Sequence, residues 1–70
     1  MGNWPSTRAS RVLAALVRIG WSIKRQSGSH RTLQRTGRPD YVFSFHDQDE
    51  IGPHMLARIA KRTGLTPEDV

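Results

Sequence analysis

Three histidines, His30, His46 and His54, are the only side chains of this 70-residue chain suited to proton exchange near neutral pH, and there is no cysteine. His30 follows a turn triplet, Ser27-Gly28-Ser29, with Lys24 and Arg25 before it and Arg31 after it. An imidazole among cations suits the metal-free cleavage of RNA. That reaction needs a base for the 2′-hydroxyl proton and an acid for the departing 5′-oxygen, and histidine can act as either. Lys24 and Arg31 could stabilise the phosphorane-like charge. Taken alone, an exposed histidine beside a turn is more often an ordinary surface residue. A zinc site is not expected, because no two histidines stand four apart and neither cysteine nor a carboxylate cluster completes four ligands.

The charge is segregated. From Arg8 to Arg38 there are eight Lys or Arg residues and no acid, while from Asp40 onward six acids outnumber three basic residues. A net charge of +5 for the whole chain, with its positive charge concentrated in the first half, is the footprint of a polyanion-binding surface, nucleic acid foremost. One domain, residues 1–70, is expected, with a thin core and no disulfide to reinforce it. The composition shows no apolar run of membrane-spanning length and no secretory leader pattern. Met1-Gly2-Asn3-Trp4-Pro5-Ser6 fits the loose N-myristoylation formula, but one acyl chain without a second signal anchors poorly.

These residues must be positioned by a small set of elements. Ser6 is expected to cap a helix running to about Ile19, with Ala9, Val12, Leu13, Leu16 and Val17 on its inner face and Gly20 ending it. Trp4, just before, would staple the helix start. Trp21–Gln26, His30–Arg35 and Tyr41–Phe45 alternate or are β-rich and predict three strands, joined by turns at Ser27-Gly28-Ser29 and Thr36-Gly37-Arg38-Pro39. His46–Gly52 is a polar loop with Ile51 directed inward. Pro53 opens a second helix with Leu56, Ile59 and Ala60 inward and Met55 at the edge, and Gly64 closes it. Arg58, Lys61 and Arg62 suit the negative end of that helix without any appeal to RNA. Thr66-Pro67-Glu68-Asp69 predicts one more helical turn. Short loops imply an α+β fold, a three-stranded antiparallel sheet with both helices on one face.

A three-residue turn would pair Gln26 with His30, Lys24 with Thr32 and Ser22 with Gln34, all on the open face, leaving Trp21, Ile23 and Leu33 for the core. If Tyr41, Phe43 and Phe45 face the core, His46 shares the face of His30. A slip of one residue would reverse these assignments.

Gly20-Trp21, then Arg25-Gln26-Ser27-Gly28-Ser29-His30, then a closing Gly64-Leu65 resemble the HicA-type toxins in order and spacing, from about Ser6 to Glu68. The triplet Gly28-Ser29-His30 is the most specific part. Glu50-Ile51 resembles the acid-plus-aliphatic pair before the second helix, and Leu56, Ile59 and Lys61 match positions along it. Two departures stand out: His54-Met55 replaces a common Gly-Thr, and Ser44-Phe45 replaces a Val-Pro or Ile-Pro.

The resemblance implies an α-β-β-β-α fold like a double-stranded-RNA-binding domain and an mRNA interferase that arrests translation. It makes His30 essential, with Gly28 and Ser29 setting its turn and His46 as a secondary candidate. It further implies a prokaryotic, cytoplasmic toxin silenced by a cognate HicB-type antitoxin, with no cofactor, metal or membrane involved. A hydrophobic or acidic partner covering the His30 face would be its mask. Lys24, Arg25 and Arg31 are the expected RNA contacts. Two other readings use the same residues. One is a binding-only module that grips duplex RNA by shape and phosphate. The other is an interaction domain, a decayed toxin kept for its antitoxin.

Overall fold

The computed structural model describes residues 4–70, so Met1, Gly2 and Asn3 of the acylation formula lie outside the described residues. The elements are β1 (Thr7–Arg8), α1 (Ala9–Arg18), β2 (Ser22–Ser27), β3 (His30–Arg35), β4 (Arg38–Ser44), β5 (Glu50–Ile51), α2 (Pro53–Thr63) and a 3-10 turn at Pro67–Asp69. β2, β3 and β4 form an antiparallel meander with β3 in the centre. The α-β-β-β-α order and α+β class are those expected.

One apolar cluster joins the helices to one face of the sheet. α1 contributes Ala9, Val12, Ala15 and Leu16, the sheet Leu33 and Phe43, and α2 Leu56 and Ile59, with Trp21, Ile51 and Leu65 closing the rim. Burying one such Leu, Ile or Phe contributes roughly 1.5–3 kcal/mol, so in a chain without disulfides each member matters. Trp21 is 1% exposed, and its indole N–H donates to the Thr63 carbonyl at 3.0 Å, tying the start of the sheet to the end of α2. Tyr41 and Phe45 are half-buried around Phe43. Val17, expected inward, is 49% exposed. α1 is rotated toward its small residues Ala9 and Ala15, which leaves Val17 on the flank.

The start of α1 differs from expectation. Ser6 does not cap it. The helix begins at Ala9, Arg8 occupies the cap position and gives no side-chain cap, and Thr7 and Arg8 pair antiparallel with Ile51 and Glu50. The free amides of the first turn go instead to backbone carbonyls: Ala9 N–H to Asp49 at 2.7 Å and Ser10 N–H to Asp47 at 3.0 Å. A helix end needs acceptors for these donors, and here a distant loop supplies them. The segment His46–Gly52 is thus partly ordered as β5, with Ile51 inward as expected.

The helix ends follow the sequence. Gly20 has φ +117° and Gly64 φ +80°, conformations open to glycine. Each glycine is covered by an arginine. A Cβ on Gly20 would stand 3.1 Å from Arg35 Nε, and one on Gly64 would stand 3.1 Å from Arg38 Nη2. Arg38 Nη1 also donates to the Arg62 carbonyl at 3.4 Å. Arg35 and Arg38 lie opposite each other across the ladder, a like-charge pairing that costs stability. The negative ends of the two helices offset it.

The turn before β4 is shorter than expected. Only Thr36 and Gly37 turn, and Arg38-Pro39-Asp40 join β4, which carries one extra residue relative to β3 before Tyr41. Pro39 tolerates this place because β4 is an edge strand and the ladder is irregular there. The predicted turn at Thr66–Asp69 forms, with Thr66 N–H and hydroxyl both donating to the Asp69 carboxylate at 2.9 Å.

Candidate active site

His30 is the first residue of β3. Ser27 pairs with it directly, so the turn contains only Gly28 and Ser29, and Gly28 has φ +59°. A two-residue hairpin turn with glycine first and an ordinary second residue is the type II′ arrangement, which matches the twist of the strands. The expected three-residue turn and its Gln26–His30 pairing are therefore corrected. A second irregularity compensates. Ile23 pairs with Leu33 but Arg25 with Thr32, so β2 holds one extra residue at Lys24, and the expected Ser22–Gln34 pairing survives. The bulge sets Lys24 and Arg25 together opposite Thr32 and sends Gln26 to the helix side, opposite Arg31.

The open face consequently presents rows running across the three strands. The first row is Ser27, His30 and Ser44, and the next is Arg25, Thr32 and Val42. Directly opposite residues have Cβ atoms about 4.5–5.5 Å apart, so two hydroxyls flank the imidazole. The second row stands two residues, or ~7 Å, along the strands. His30 and Arg25 are exposed, and so is Val42, at 50%. Among the described residues the His30 imidazole takes no hydrogen bond and no carboxylate stands in either row. An imidazole so placed is free to approach a phosphodiester and to give or accept a proton.

The expected site residues divide. Lys24 belongs to the open face, but its Nζ is held by Asp40 Oδ2 at 2.9 Å, both side chains being about two-fifths exposed. Such a pair contributes at most about 1 kcal/mol and leaves Lys24 able to exchange partners. Arg25 is without an ion pair among the described residues. Arg31 does not join them. It pairs with Phe43 and Gln26 on the helix side, its side chain is 13% exposed, and its Nη2 donates to Asp47 Oδ1 at 2.9 Å. Its Nη1 is buried without a partner among the described residues. With Leu13, Ala14, Val17, Ile23 and Gln26 it lines a groove of about 500 Å³ between α1 and β2.

His46 is not on the ladder. β4 ends at Ser44, and His46 opens a turn whose backbone N–H donates to Asp49 Oδ2 at 2.9 Å while the Asp49 N–H returns to its carbonyl at 3.0 Å. Alternation along β4 therefore does not give it the face of His30. His54 lies exposed in the first turn of α2. Among the described residues no three His, Cys, Asp or Glu side chains gather where they could hold a metal ion, and no helix is long and apolar enough to cross a membrane.

Sequence reasoning missed the two serines beside His30, since only the true register sets Ser27 and Ser44 against it. A signal for the bulge was present. Strict alternation from Trp21 would turn Arg25 toward the core, and one extra residue avoids that.

Residues 9–65 match the family model described as the HicA toxin of bacterial toxin-antitoxin systems. No curated protein matches the chain.

Proposed function

The chain belongs to the HicA toxin family of bacterial toxin-antitoxin systems, and from that premise we propose that it is an endoribonuclease that cuts mRNA and so arrests translation, with His30 moving the proton and no metal ion taking part. The observation that supports this reading most is the placement of His30: first residue after a tight glycine turn, exposed, flanked by hydroxyls and clear of carboxylates on an otherwise open sheet face. His30 serves at one of two points, removal of the 2′-hydroxyl proton or its delivery to the departing 5′-oxygen. Arg25, and Lys24 when it leaves Asp40, stabilise charge on the phosphate. Gly28 and Ser29 fix where the imidazole stands. His46 remains a secondary candidate for the second proton transfer. The substrate places the toxin in the cytoplasm. A HicB-type antitoxin, acidic or apolar on its contact surface, silences it by covering the open face.

The test is induction of the wild type and of His30→Ala in a bacterial host, followed by growth and bulk mRNA integrity, then incubation of both purified proteins with RNA in the presence of a chelator. Growth arrest and fragments ending in 2′,3′-cyclic phosphate, both lost in a folded His30→Ala variant, are expected. Equal behaviour of the two proteins would remove His30 as the catalyst and favour a module that only binds RNA.

A further inference from the structure

Around His30 most of the expected positive charge is already engaged. Asp40 holds Lys24, Asp47 holds Arg31, and the segment after β4 adds Asp49 and Glu50 at the same end of the sheet. Uncompensated charge gathers at the other end, where β4 begins and α2 finishes. Arg38, Arg58, Lys61 and Arg62 are all exposed there. Among the described residues Arg58, Lys61 and Arg62 enter no ion pair and donate no side-chain hydrogen bond. A depression of about 220 Å³ between β4 and α2 is lined by Arg38, Pro39, Asp40, Tyr41, Lys61 and Arg62. Its one carboxylate, Asp40, is the partner of Lys24.

The helix dipole favours Lys61 and Arg62 in the last turn of α2, but it calls for no third and fourth cation beside them. The Arg62 carbonyl at the end of α2 is served by Arg38 from the sheet, not by the cations of α2 itself. Arg58, Lys61 and Arg62 stand at i, i+3 and i+4, a spacing at which like charges lower helix stability. A bound polyanion would reverse that penalty.

We propose that the β4–α2 depression is a second binding subsite, one that holds the phosphodiester backbone of the RNA several nucleotides away from the bond presented to His30. The inference rests on the RNA-directed reading above. Arg35, opposite Arg38, is five residues along β3 from His30, so the subsite stands ~17 Å from the imidazole. Lys61 and Arg62 are the main phosphate contacts, and Arg38 lines the depression while closing α2. The molecule thereby separates grip from chemistry: the backbone is held where charge is free, and the reacting bond lies beside an imidazole, hydroxyls, Arg25 and the Asp40-paired Lys24.

The experiment uses the full chain carrying His30→Ala, so that RNA is bound but not consumed. Affinity for a labelled single-stranded oligoribonucleotide is followed by fluorescence anisotropy over a series of salt concentrations. Replacing Lys61 and Arg62 together by Gln should weaken binding by about tenfold at moderate salt. The log–log salt slope should fall by about 1.4, at ~0.7 per phosphate contact on a single strand. Lys61→Arg should retain affinity. Unchanged affinity and slope in a Gln variant with wild-type circular dichroism and melting would overturn the proposal. Displacement of the RNA by inorganic phosphate as readily as by competitor RNA would also overturn it, by marking the site as one for small anions. Because cleavage plays no part in this assay, its failure leaves the ribonuclease reading standing, and a wild type that binds but does not cut would sink only the latter.

Discussion

The two hairpins of the sheet share β3 but are anchored differently. A Cβ on either turn glycine, Gly28 or Gly37, would meet nothing within 4 Å, but at the β2–β3 turn His30 also takes no hydrogen bond among the described residues. At the β3–β4 turn, Arg35 and Arg38 each lie across the glycine that closes a helix, and Trp21 nearby is bonded to the end of α2. One end is fastened to α1 only on its helix side, through Arg31 and Asp47, and its other face is kept open. The other ties both helices to the sheet. The difference teaches that the candidate reacting group and the closure of both helices reside at opposite ends of the same strand. Substitutions beside His30 should act on activity, and substitutions in the buried closure at the other end on folding.

The largest break should come from Trp21→Ala. Removing a side chain that is 1% exposed should cost about 3–5 kcal/mol, comparable with the whole stability of a small domain, and urea unfolding would record it. His30→Ala is its counterpart. Cleavage of RNA should drop by about 10²–10⁴-fold with an unmoved urea midpoint, and a large loss of stability would show that the open end is not open.

Next in size is a matched pair. Gly28→Ala and Gly64→Ala both force a side chain to positive φ, at roughly 1–2 kcal/mol. Gly64→Ala must also displace Arg38, 3.1 Å from the new Cβ, so it should be the more destabilising of the two. Gly28→Ala should reduce cleavage more, by moving His30. Equal stability losses would mean that the arginine closure of α2 matters little.

The smallest effect concerns Tyr41, the only tyrosine in the chain. Burial raises its phenol above the ordinary value near 10, against the pull of the Arg62 and Arg58 cations. Alkaline absorbance titration should therefore give a raised midpoint, and Arg62→Gln should raise it further. The proton is held more tightly in the folded state. That stabilisation is complete below the unfolded pKa and lost as pH rises through the folded one. A midpoint at or below 10 would contradict the burial.

Much of this was legible in the sequence because it depends on local chemistry. The glycines that end the helices, Pro53 at the start of α2, the three strands and the turn before His30 are all written in short-range pattern. What escaped depends on pairing across distance. Two-residue β1 and β5 show no periodicity of their own, so Ser6 looked like the natural cap of α1. The register of β2 against β3 combines a shorter turn with a bulge, and the two shifts cancel by Ser22. Arg31 looked like an RNA contact because polar residues are taken to face water. Opposite Phe43, it instead lies along α1 with Asp47 as its counter-ion.

The start of α1 carries a consequence for synthesis. Its first two amides bond to Asp49 and Asp47, and its inner face shares a core with Leu56 and Ile59, all encoded well after the helix itself. On the ribosome the first helix therefore lacks its acceptors and its core partners until α2 has emerged. The domain consequently forms as one unit rather than helix by helix, with α1 docking late although it is made first.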